Sequence, residues 1–294
     1  MSRPEPTLMF CLGATKAGTS WLHAQLARHP ECHLRTLKEL HYFDSVETGR
    51  LETKRAEIEG MIRTLLRRMV TADEAKRVEL NRRIEDRAAW EKVLGLGRED
   101  EGAYLDYLTG GLGDRRLVAD ITPAYGLLPE ERLARMAALL PDVRFVYLMR
   151  DPVDRLWSHV RMNSLRIKGG KTVTPRHAHR MLDKVLKGGH QDIARRSDYR
   201  AVLEKLDRSV EADRTLVMFY EDLFAEGGLE RLCAFLGIAP VAGDTARRVH
   251  GGKPADLDPD AAAAARAWLA PQYDYVERRF GALPAAWQAN DAKV

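Results

Sequence analysis

The sequence predicts an α/β protein of three layers, with a central, mainly parallel β-sheet flanked by helices. Short apolar runs alternate along the 294 residues with segments of helical periodicity, the pattern typical of repeated β-α units. The first apolar run leads directly into a loop with two glycines and then into a helix. Hydrophobic residues make up 45% of the chain and charged residues 31%, which fits a packed globular protein. We expect residues 1–294 to form a single domain.

Four apolar runs are predicted as strands, because each is short and is bounded by turn or helix signals. They are Leu8–Leu12, Leu117–Ile121, Arg144–Met149 and Leu216–Tyr220. Helices are predicted where apolar residues recur every three or four positions, or where proline can occupy a first turn. They cover about 19–28, 129–140, 152–164 and a C-terminal segment that begins at 261–265.

Two segments interrupt this alternation. A helical insertion of two helices is expected at about 49–100, because Leu51–Leu96 is dense in charge, lacks proline and repeats apolar residues at helical spacing. A basic, flexible segment is expected at about 161–200, where there are eleven Lys/Arg against three Asp/Glu, with glycine pairs at 169–170 and 188–189. Such a block attracts an anionic ligand.

Composition also bears on the cellular setting. No apolar run approaches the length that crosses a bilayer, so no membrane span is expected. The run at 8–12 is too short for the apolar core of a secretory signal. The three cysteines, Cys11, Cys32 and Cys233, match neither a zinc site nor a redox pair, and we expect reduced thiols. These features predict a cytoplasmic protein.

The loop Gly13–Ser20 reads Gly-Ala-Thr-Lys-Ala-Gly-Thr-Ser, follows the first predicted strand and opens a helix. Amide groups at the start of a helix point outwards, and the helix dipole favours negative charge there. Glycines let the backbone approach an anion without a side chain in the way. The loop therefore predicts a phosphate-binding cradle.

The position of Lys16 separates this loop from that of a nucleoside triphosphatase. In such enzymes lysine directly follows the second glycine, and a strand-end aspartate holds magnesium. Here Thr19 follows the second glycine, Lys16 lies inside the loop, and the strand Arg144–Met149 is followed by Arg150. An arginine at that place suits a phosphate monoester and argues against a metal. A phosphosulfate, shorter than a triphosphate, fits this arrangement.

Four segments, in order along the chain, resemble one family. Gly13–Leu22 resembles the loop that binds the 5′-phosphosulfate in sulfotransferases that use 3′-phosphoadenosine 5′-phosphosulfate (PAPS). Lys38–Asp44 is similar to the Lys-Glu-x-x-Phe-Phe segment of the heparan-sulfate sulfotransferases and their bacterial relatives. Asp120–Tyr125 resembles the strand and turn that precede the family's 3′-phosphate motif, and Arg150–Ser158 resembles that motif. The resemblance implies a P-loop-like fold.

The resemblance also implies the reaction, an in-line transfer of a sulfuryl group from PAPS to a hydroxyl or amine acceptor. Lys16 is expected to stabilise charge on the leaving 5′-phosphate. Glu39 is the candidate general base, carried over from the resembling segment. His41 is the rival base, because another branch of sulfotransferases uses histidine, and otherwise it contacts substrate. Lys38 is expected to contact the acceptor or the transferring group.

The remaining expectations concern the nucleotide. Arg150 and Ser158 should bind the 3′-phosphate, and a late glycine-rich loop should close over the nucleotide. Arg155 and Arg161 are expected to be ordinary charges on a helix surface. No metal is required. The residues expected to bind the nucleotide are Lys16, Ala17, Gly18, Thr19, Ser20, Arg150, Ser158, Gly251, Gly252 and Lys253.

Two other classes of function compete with this one. A nucleotide kinase or other triphosphatase on the same core fold would depend on ATP and magnesium. A non-catalytic module could bind acidic polymers through 161–200, but this leaves the phosphate loop and Glu39 without a purpose. The expected partners are the nucleotide donor and an acceptor, with no nucleic acid. The sequence leaves the acceptor open among carbohydrate, lipid and small metabolite, and it leaves the oligomeric state open.

Overall fold

A single five-stranded sheet forms the centre of the part of the chain that the computed structural model describes, residues 5–167, 174–241 and 256–291. The strands are β1 (Thr7–Cys11), β2 (Cys32–His33), β3 (Leu117–Ile121), β4 (Val143–Met149) and β5 (Thr215–Phe219). Their order is β2-β3-β1-β4-β5, and every neighbouring pair is parallel. The predicted α/β fold with a parallel central sheet is confirmed.

Helices occupy the connections between these strands. In chain order they are α1 (Thr19–Leu26), α2 (Tyr42–Glu47), α3 (Leu51–Met69), α4 (Glu74–Leu94), α5 (Glu101–Thr109), α6 (Glu130–Ala137), α7 (Pro152–Ile167), α8 (Pro175–Leu186), α9 (Gln191–Arg195), α10 (Tyr199–Ser209), α11 (Tyr220–Phe224), α12 (Gly228–Leu236), α13 (Pro259–Phe280) and α14 (Ala285–Asp291). Short 3₁₀ turns lie at Pro123–Leu127 and Ala212–Arg214. None of the helices within these described ranges is both long enough and apolar enough to span a bilayer.

The four predicted strands are confirmed to within one residue at each end. Their apolar runs do not alternate, because strands covered by helices on both faces bury successive side chains; all five residues of β3 are buried. The sequence did not predict β2, which spans only two residues and has no periodicity to detect. The central position of β1, between β3 and β4, places the loop that follows it in the middle of the sheet edge.

Two predicted helices end earlier than expected and one ends later. α1 stops at Leu26 and α6 at Ala137, short of the predicted ends at 28 and 140. For α6 the cause is local, because Pro141 keeps the residue before it out of the helical region. α7 continues past the expected end near 164 to Ile167.

The insertion and the basic segment both consist largely of helices. α3 and α4 form the two helices expected between 51 and 96, and they pack against each other. The segment at 161–200 is mostly helical over its described residues, in the end of α7, in α8 and in α9, and its flexibility stays a prediction. The reason for the helical structure is an apolar face on α8, where Ala178, Leu182 and Val185 are buried in the core.

Candidate active site

The loops that follow β1 and β4 meet at the topological switch point of the sheet. From β1 the chain crosses to β2 on one side, and from β4 it continues to β5 on the other. In open α/β sheets, ligands bind in the crevice between two such strands, outside their carboxyl ends. The loop after β1 is fixed to β4, since Leu148 N donates to Gly13 O at 2.7 Å and Ala14 N donates to Leu148 O at 2.6 Å.

The phosphate-binding loop, Gly13–Ser20, has the backbone form of an anion cradle. Lys16 and Gly18 adopt positive φ angles of 74° and 91°. No side chain caps the N-terminus of α1, so its first amide groups can donate to a ligand. Gly18 is required for a second reason, because a Cβ there would lie 3.1 Å from Cδ2 of Tyr220. The loop thus packs closely against Tyr220.

Lys16 lies inside this loop, half-buried, and makes no hydrogen bond or ion pair with another described residue. Burial lowers the pKa of its ammonium group, and the positive charges of Arg150, Arg166 and Arg161 lower it further. The Glu39 carboxylate counteracts these effects, but burial and the arginines outweigh it, so a bound anion would further stabilise the ammonium group.

Arg150 follows β4 and lies over the ring of Tyr220. Its guanidinium carbon is 5.2 Å from the centre of the Tyr220 ring, and its Nη2 donates to Asp154 Oδ2 at 2.9 Å. Ser158 lies two turns into α7, partly exposed, and donates no hydrogen bond to another described residue. Since Tyr220 lies next to both Arg150 and the backbone at Gly18, Arg150 is close to the phosphate-binding loop. That the two groups bind one nucleotide stays a prediction.

Lys38 connects this site to the segment that carries the candidate bases. Its Nζ donates to Thr19 Oγ1 at 3.3 Å, at the start of α1, and to Glu39 Oε1 at 2.6 Å. Lys38 pairs with Glu39 and also reaches the phosphate-binding loop, so this ion pair keeps the Glu39 carboxylate near the loop. Glu39 is therefore next to the N-terminus of α1.

Glu39, His41 and Asp44 form a row of charged groups. His41 Nδ1 is 2.8 Å from Asp44 Oδ2, and its Nε2 is 3.5 Å from Glu39 Oε2. Burial raises the pKa of Glu39, but the hydrogen bond from His41 and the charge of Lys38 outweigh it and bring the pKa to about 2. Burial lowers the pKa of His41, yet the hydrogen bonds to Asp44 and Glu39 raise it above its usual value. At neutral pH Glu39 is therefore ionised, and the raised pKa of His41 favours its protonated form.

Arg155 corrects one expectation from the sequence, because it is fully buried rather than a surface charge. Its Nη2 donates to Ser197 Oγ, and its Nη1 lies 3.5 Å from Nδ1 of His159. Burial lowers the pKa of Arg155, and burial together with the Arg155 charge lowers that of His159 to about 3. The helical spacing of Pro152, Arg155 and His159 along the buried face of α7 was the signal that could have revealed it.

Arg196 and Tyr220 belong to the site but were not predicted. Arg196 Nη1 donates to Thr15 Oγ1 at 3.3 Å, so the basic segment reaches the phosphate-binding loop. Burial lowers the pKa of Arg196, and the nearby Asp44 carboxylate counteracts this. Neither residue stands in a motif; Arg196 is one of eleven Lys/Arg between 161 and 200.

Two expectations concern other parts of the chain. Gly251, Gly252 and Lys253 lie outside the described residues. Over the described ranges, no group of three or more His, Cys, Asp or Glu side chains is arranged to hold a metal ion. Independence from metal stays a prediction.

Comparisons with known proteins agree with this geometry. Residues 8–242 match the sequence model of the sulfotransferase family. A sulfotransferase from Alicyclobacillus acidocaldarius is 22% identical, with 98% of this chain and 100% of that chain covered and a TM-score of 0.60. At this identity the likeness concerns the fold.

Two further solved structures are less similar. The sulfotransferase domain from the Synechococcus PCC 7002 olefin synthase is 21% identical, covers 91% of this chain and 96% of its own, and gives a TM-score of 0.47. The sulfotransferase domain from the curacin biosynthetic pathway is 21% identical, with 89% and 83% covered and a TM-score of 0.49. No curated protein matches the chain.

The family match covers well over half of the chain and includes the phosphate-binding loop, Glu39, Arg150 and Ser158. The parallel sheet flanked by helices is also the fold of the Alicyclobacillus structure. The chain belongs to the sulfotransferase family.

Proposed function

We propose that this sulfotransferase takes the sulfuryl group from PAPS and transfers it in line to a hydroxyl or amine acceptor, with Glu39 as the general base. One observation supports the proposal most strongly. Tyr220 contacts both the Gly18 backbone and Arg150, while Lys38 connects the start of α1 to Glu39. Groups suited to two phosphates and a base therefore surround one crevice.

The donor-binding residues fit the two ends of PAPS. The uncapped N-terminus of α1 and the unpaired Lys16 suit the 5′-phosphosulfate. Arg150 offers a forked donor to the 3′-phosphate, and the Ser158 hydroxyl offers a further one. As the sulfur–oxygen bond to the 5′-phosphate breaks, negative charge grows on that phosphate, and Lys16 stabilises it.

The charge states of the segment favour Glu39 over His41 as the base. A protonated imidazole cannot accept a proton, and the raised pKa of His41 favours this protonated form. Glu39 stays ionised, because its pKa is lowered to about 2. The acceptor oxygen becomes far more acidic as its bond to sulfur forms, so even a weakly basic carboxylate in the right place can take its proton.

The competing triphosphatase lacks support at the neighbouring strand. Asp120 lies on β3, beside β1, where its carboxylate is fully buried. Its two oxygens accept hydrogen bonds from the hydroxyls of Tyr104, Thr122 and Tyr125, at 2.6 to 3.0 Å. That carboxylate is committed to protein donors rather than presented to a magnesium ion. The strand β4 is followed by an arginine.

Thermal shift with nucleotides tests the proposal directly. A ligand that binds only the folded protein raises its melting temperature. We expect 3′-phosphoadenosine 5′-phosphate (PAP) to stabilise the protein in the presence of a chelator, and ATP with magnesium to have no effect. Stabilisation by magnesium-ATP and none by PAP would favour the kinase alternative and contradict the proposal.

Cytoplasmic location stays a prediction. The three cysteines are free and buried, which is compatible with a reducing compartment.

A further inference from the structure

The segment that carries Glu39 has little regular structure of its own. From Leu34 to His41 the chain forms neither helix nor strand. Loops of this kind are held by contacts with other parts of the fold, or they move. Here the backbone on both sides of Glu39 is fixed by buried carboxylates from distant positions, Asp86 and Asp120.

Asp120 fixes the side of the segment that follows Glu39. The Leu40 amide donates to Thr122 Oγ1 at 3.0 Å, and the Tyr42 amide donates to the Tyr125 hydroxyl at 3.0 Å. Both hydroxyls in turn donate to Asp120, at 2.6 and 2.8 Å. The two amides that flank His41 are therefore held by one carboxylate through one hydroxyl each.

The carboxylate determines the direction of these hydrogen bonds. An ionised carboxylate only accepts, so the hydroxyl protons of Thr122 and Tyr125 point at Asp120. Each oxygen then turns a lone pair towards a backbone amide. Because the cluster is fully buried, an amide without an acceptor could not bond to water instead, and its desolvation would destabilise this arrangement of the segment. Asp120 thus orders the segment without touching Glu39.

Asp86 fixes the side that precedes Glu39. Its Oδ2 accepts from the Leu37 amide at 3.1 Å and from Thr36 Oγ1 at 2.5 Å, and its Oδ1 accepts from Arg35 Nε at 2.6 Å. Asp86 is buried and lies on α4. The insertion therefore contacts the segment directly rather than projecting away from the site.

We propose that Asp86 and Asp120 are positioning residues for the general base, and that the α3–α4 insertion is a structural part of the active site through Asp86. The inference rests on the proposed role of Glu39. It gives the insertion a function in the reaction, which is to hold the backbone of residues 35–37 so that Glu39 faces the phosphate-binding loop. Neither carboxylate is expected to contact the nucleotide.

Two buried tyrosines provide a matched test. Tyr104 and Tyr125 both donate a hydroxyl to Asp120 Oδ2, at 3.0 and 2.8 Å, and both are fully buried. Only the Tyr125 hydroxyl also accepts from the segment. Tyr125→Phe and Tyr104→Phe therefore each remove one hydrogen bond to Asp120 Oδ2. They differ because only Tyr125→Phe also removes the acceptor of the Tyr42 amide. Thr122→Val supplies a second variant of the first kind, since it removes the acceptor of Leu40.

We expect Tyr125→Phe and Thr122→Val to lower kcat on the order of 10- to 100-fold, measured with radiolabelled PAPS and a panel of phenol, sugar and amino-sugar acceptors. The Kd for PAP, measured by calorimetry, should stay within about twofold, because the donor-binding groups are untouched. Tyr104→Phe should keep kcat within about threefold. In hydrogen–deuterium exchange, peptides covering 36–43 should exchange faster in the first two variants than in Tyr104→Phe.

The insertion has its own matched pair. Asp86 accepts from the Leu37 amide, whereas Tyr107 donates to Asp86 Oδ1 at 3.1 Å and bonds to no backbone amide of the segment. The Arg35 guanidinium lies 4.2 Å from the centre of the Tyr107 ring, and phenylalanine keeps that ring. Asp86→Asn should lower kcat and speed exchange over 36–43, while Tyr107→Phe should change neither by more than about threefold.

The outcomes separate the two proposals. Equal kcat and equal exchange in Tyr125→Phe and Tyr104→Phe would overturn the positioning role of Asp120, and equal values in the Asp86→Asn and Tyr107→Phe pair would overturn that of Asp86. If the unmodified protein binds no PAP and transfers no sulfuryl group, the proposed function fails instead. The exchange measurement still decides the positioning role in that case, because it needs no turnover.

Discussion

The donor side and the acceptor side of this site are built in different ways. On the donor side, the loop Gly13–Ser20 is a short continuous stretch between β1 and α1, anchored to the adjacent strand by backbone hydrogen bonds. On the acceptor side, the segment Lys38–Asp44 depends on side chains from positions 86, 120, 122 and 125. Binding of the phosphates relies on backbone geometry, whereas the placement of the base relies on a network of side chains. Substitutions should affect the two sides differently.

Removal of the base should have the largest effect. Glu39→Gln keeps the shape of the side chain, but the amide cannot take the proton from the hydroxyl or amine substrate. We expect kcat to fall on the order of a thousandfold, with the Kd for PAP unchanged within about twofold. Steady-state kinetics and calorimetry measure the two quantities. Glu47→Gln is the control, since Glu47 pairs with Arg132 and takes no part in the row of charged groups. A normal rate in Glu39→Gln together with an inactive His41→Ala would identify His41 as the base.

Loss of the loop lysine should come next. Lys16→Ala removes the charge that stabilises the leaving 5′-phosphate, and we expect kcat to fall about 100- to 1000-fold. Lys76→Ala is a matched control, because Lys76 pairs with Glu79 on the surface of α4. Unchanged kcat in Lys16→Ala would show that the leaving group is stabilised elsewhere.

Loss of Arg150 should affect binding more than chemistry. Arg150→Ala removes a charged donor to the 3′-phosphate, so the Kd for PAP should rise about 10- to 100-fold while kcat at saturating donor changes less than about threefold. Arg208→Ala, which removes an exposed arginine paired with Glu130, should leave both quantities unchanged. The 3′-phosphate assignment is refuted by an unaltered Kd in the Arg150 variant.

The pH dependence of the reaction sharpens the choice of base. The pKa of Glu39 is lowered to about 2, so its own ionisation should cause no rise in kcat/KM between about pH 5 and 7. Burial raises the pKa of Asp120 to about 6, so a modest rise with a midpoint near pH 6 is expected as Asp120 ionises and orders the segment. The pKa of His41 is raised above its usual value, so its charge is lost at a higher pH than in an ordinary histidine, where the contact with Glu39 weakens and the rate should decline. A rising limb whose midpoint lies above the usual histidine pKa would instead indicate His41 as the base.

The sequence predicted most of the donor side, because its determinants are local. The four main strands and the loop between β1 and α1 follow from residue order and spacing. The assignment of Arg150 and Ser158 to one phosphate comes from the family resemblance and stays a prediction. The sequence did not reveal Tyr220 or Arg196, since each reaches the loop from far along the chain. Arg155 was misjudged because arginine is seldom buried, although its place on the inner face of α7 was visible in the helical spacing.

The acceptor side shows the same limit more strongly. Glu39 and His41 were chosen from their resemblance to a family segment. In the structure Glu39 pairs with Lys38, which reaches the phosphate-binding loop, and His41 contacts Glu39. The hydrogen bonds that fix them come from residues 45 or more positions away, and no local pattern predicts which buried carboxylate accepts from which amide. For this reason the sequence left the role of the insertion open.

The most direct test of the account is a crystal structure of the protein with PAP. We predict that one PAP molecule spans the crevice, with its 5′-phosphate at Lys16 and the N-terminus of α1 and its 3′-phosphate at Arg150 and Ser158. Glu39 should face the 5′-phosphate. A nucleotide bound elsewhere, or bound here with its phosphates away from either Lys16 or Arg150, would contradict the account.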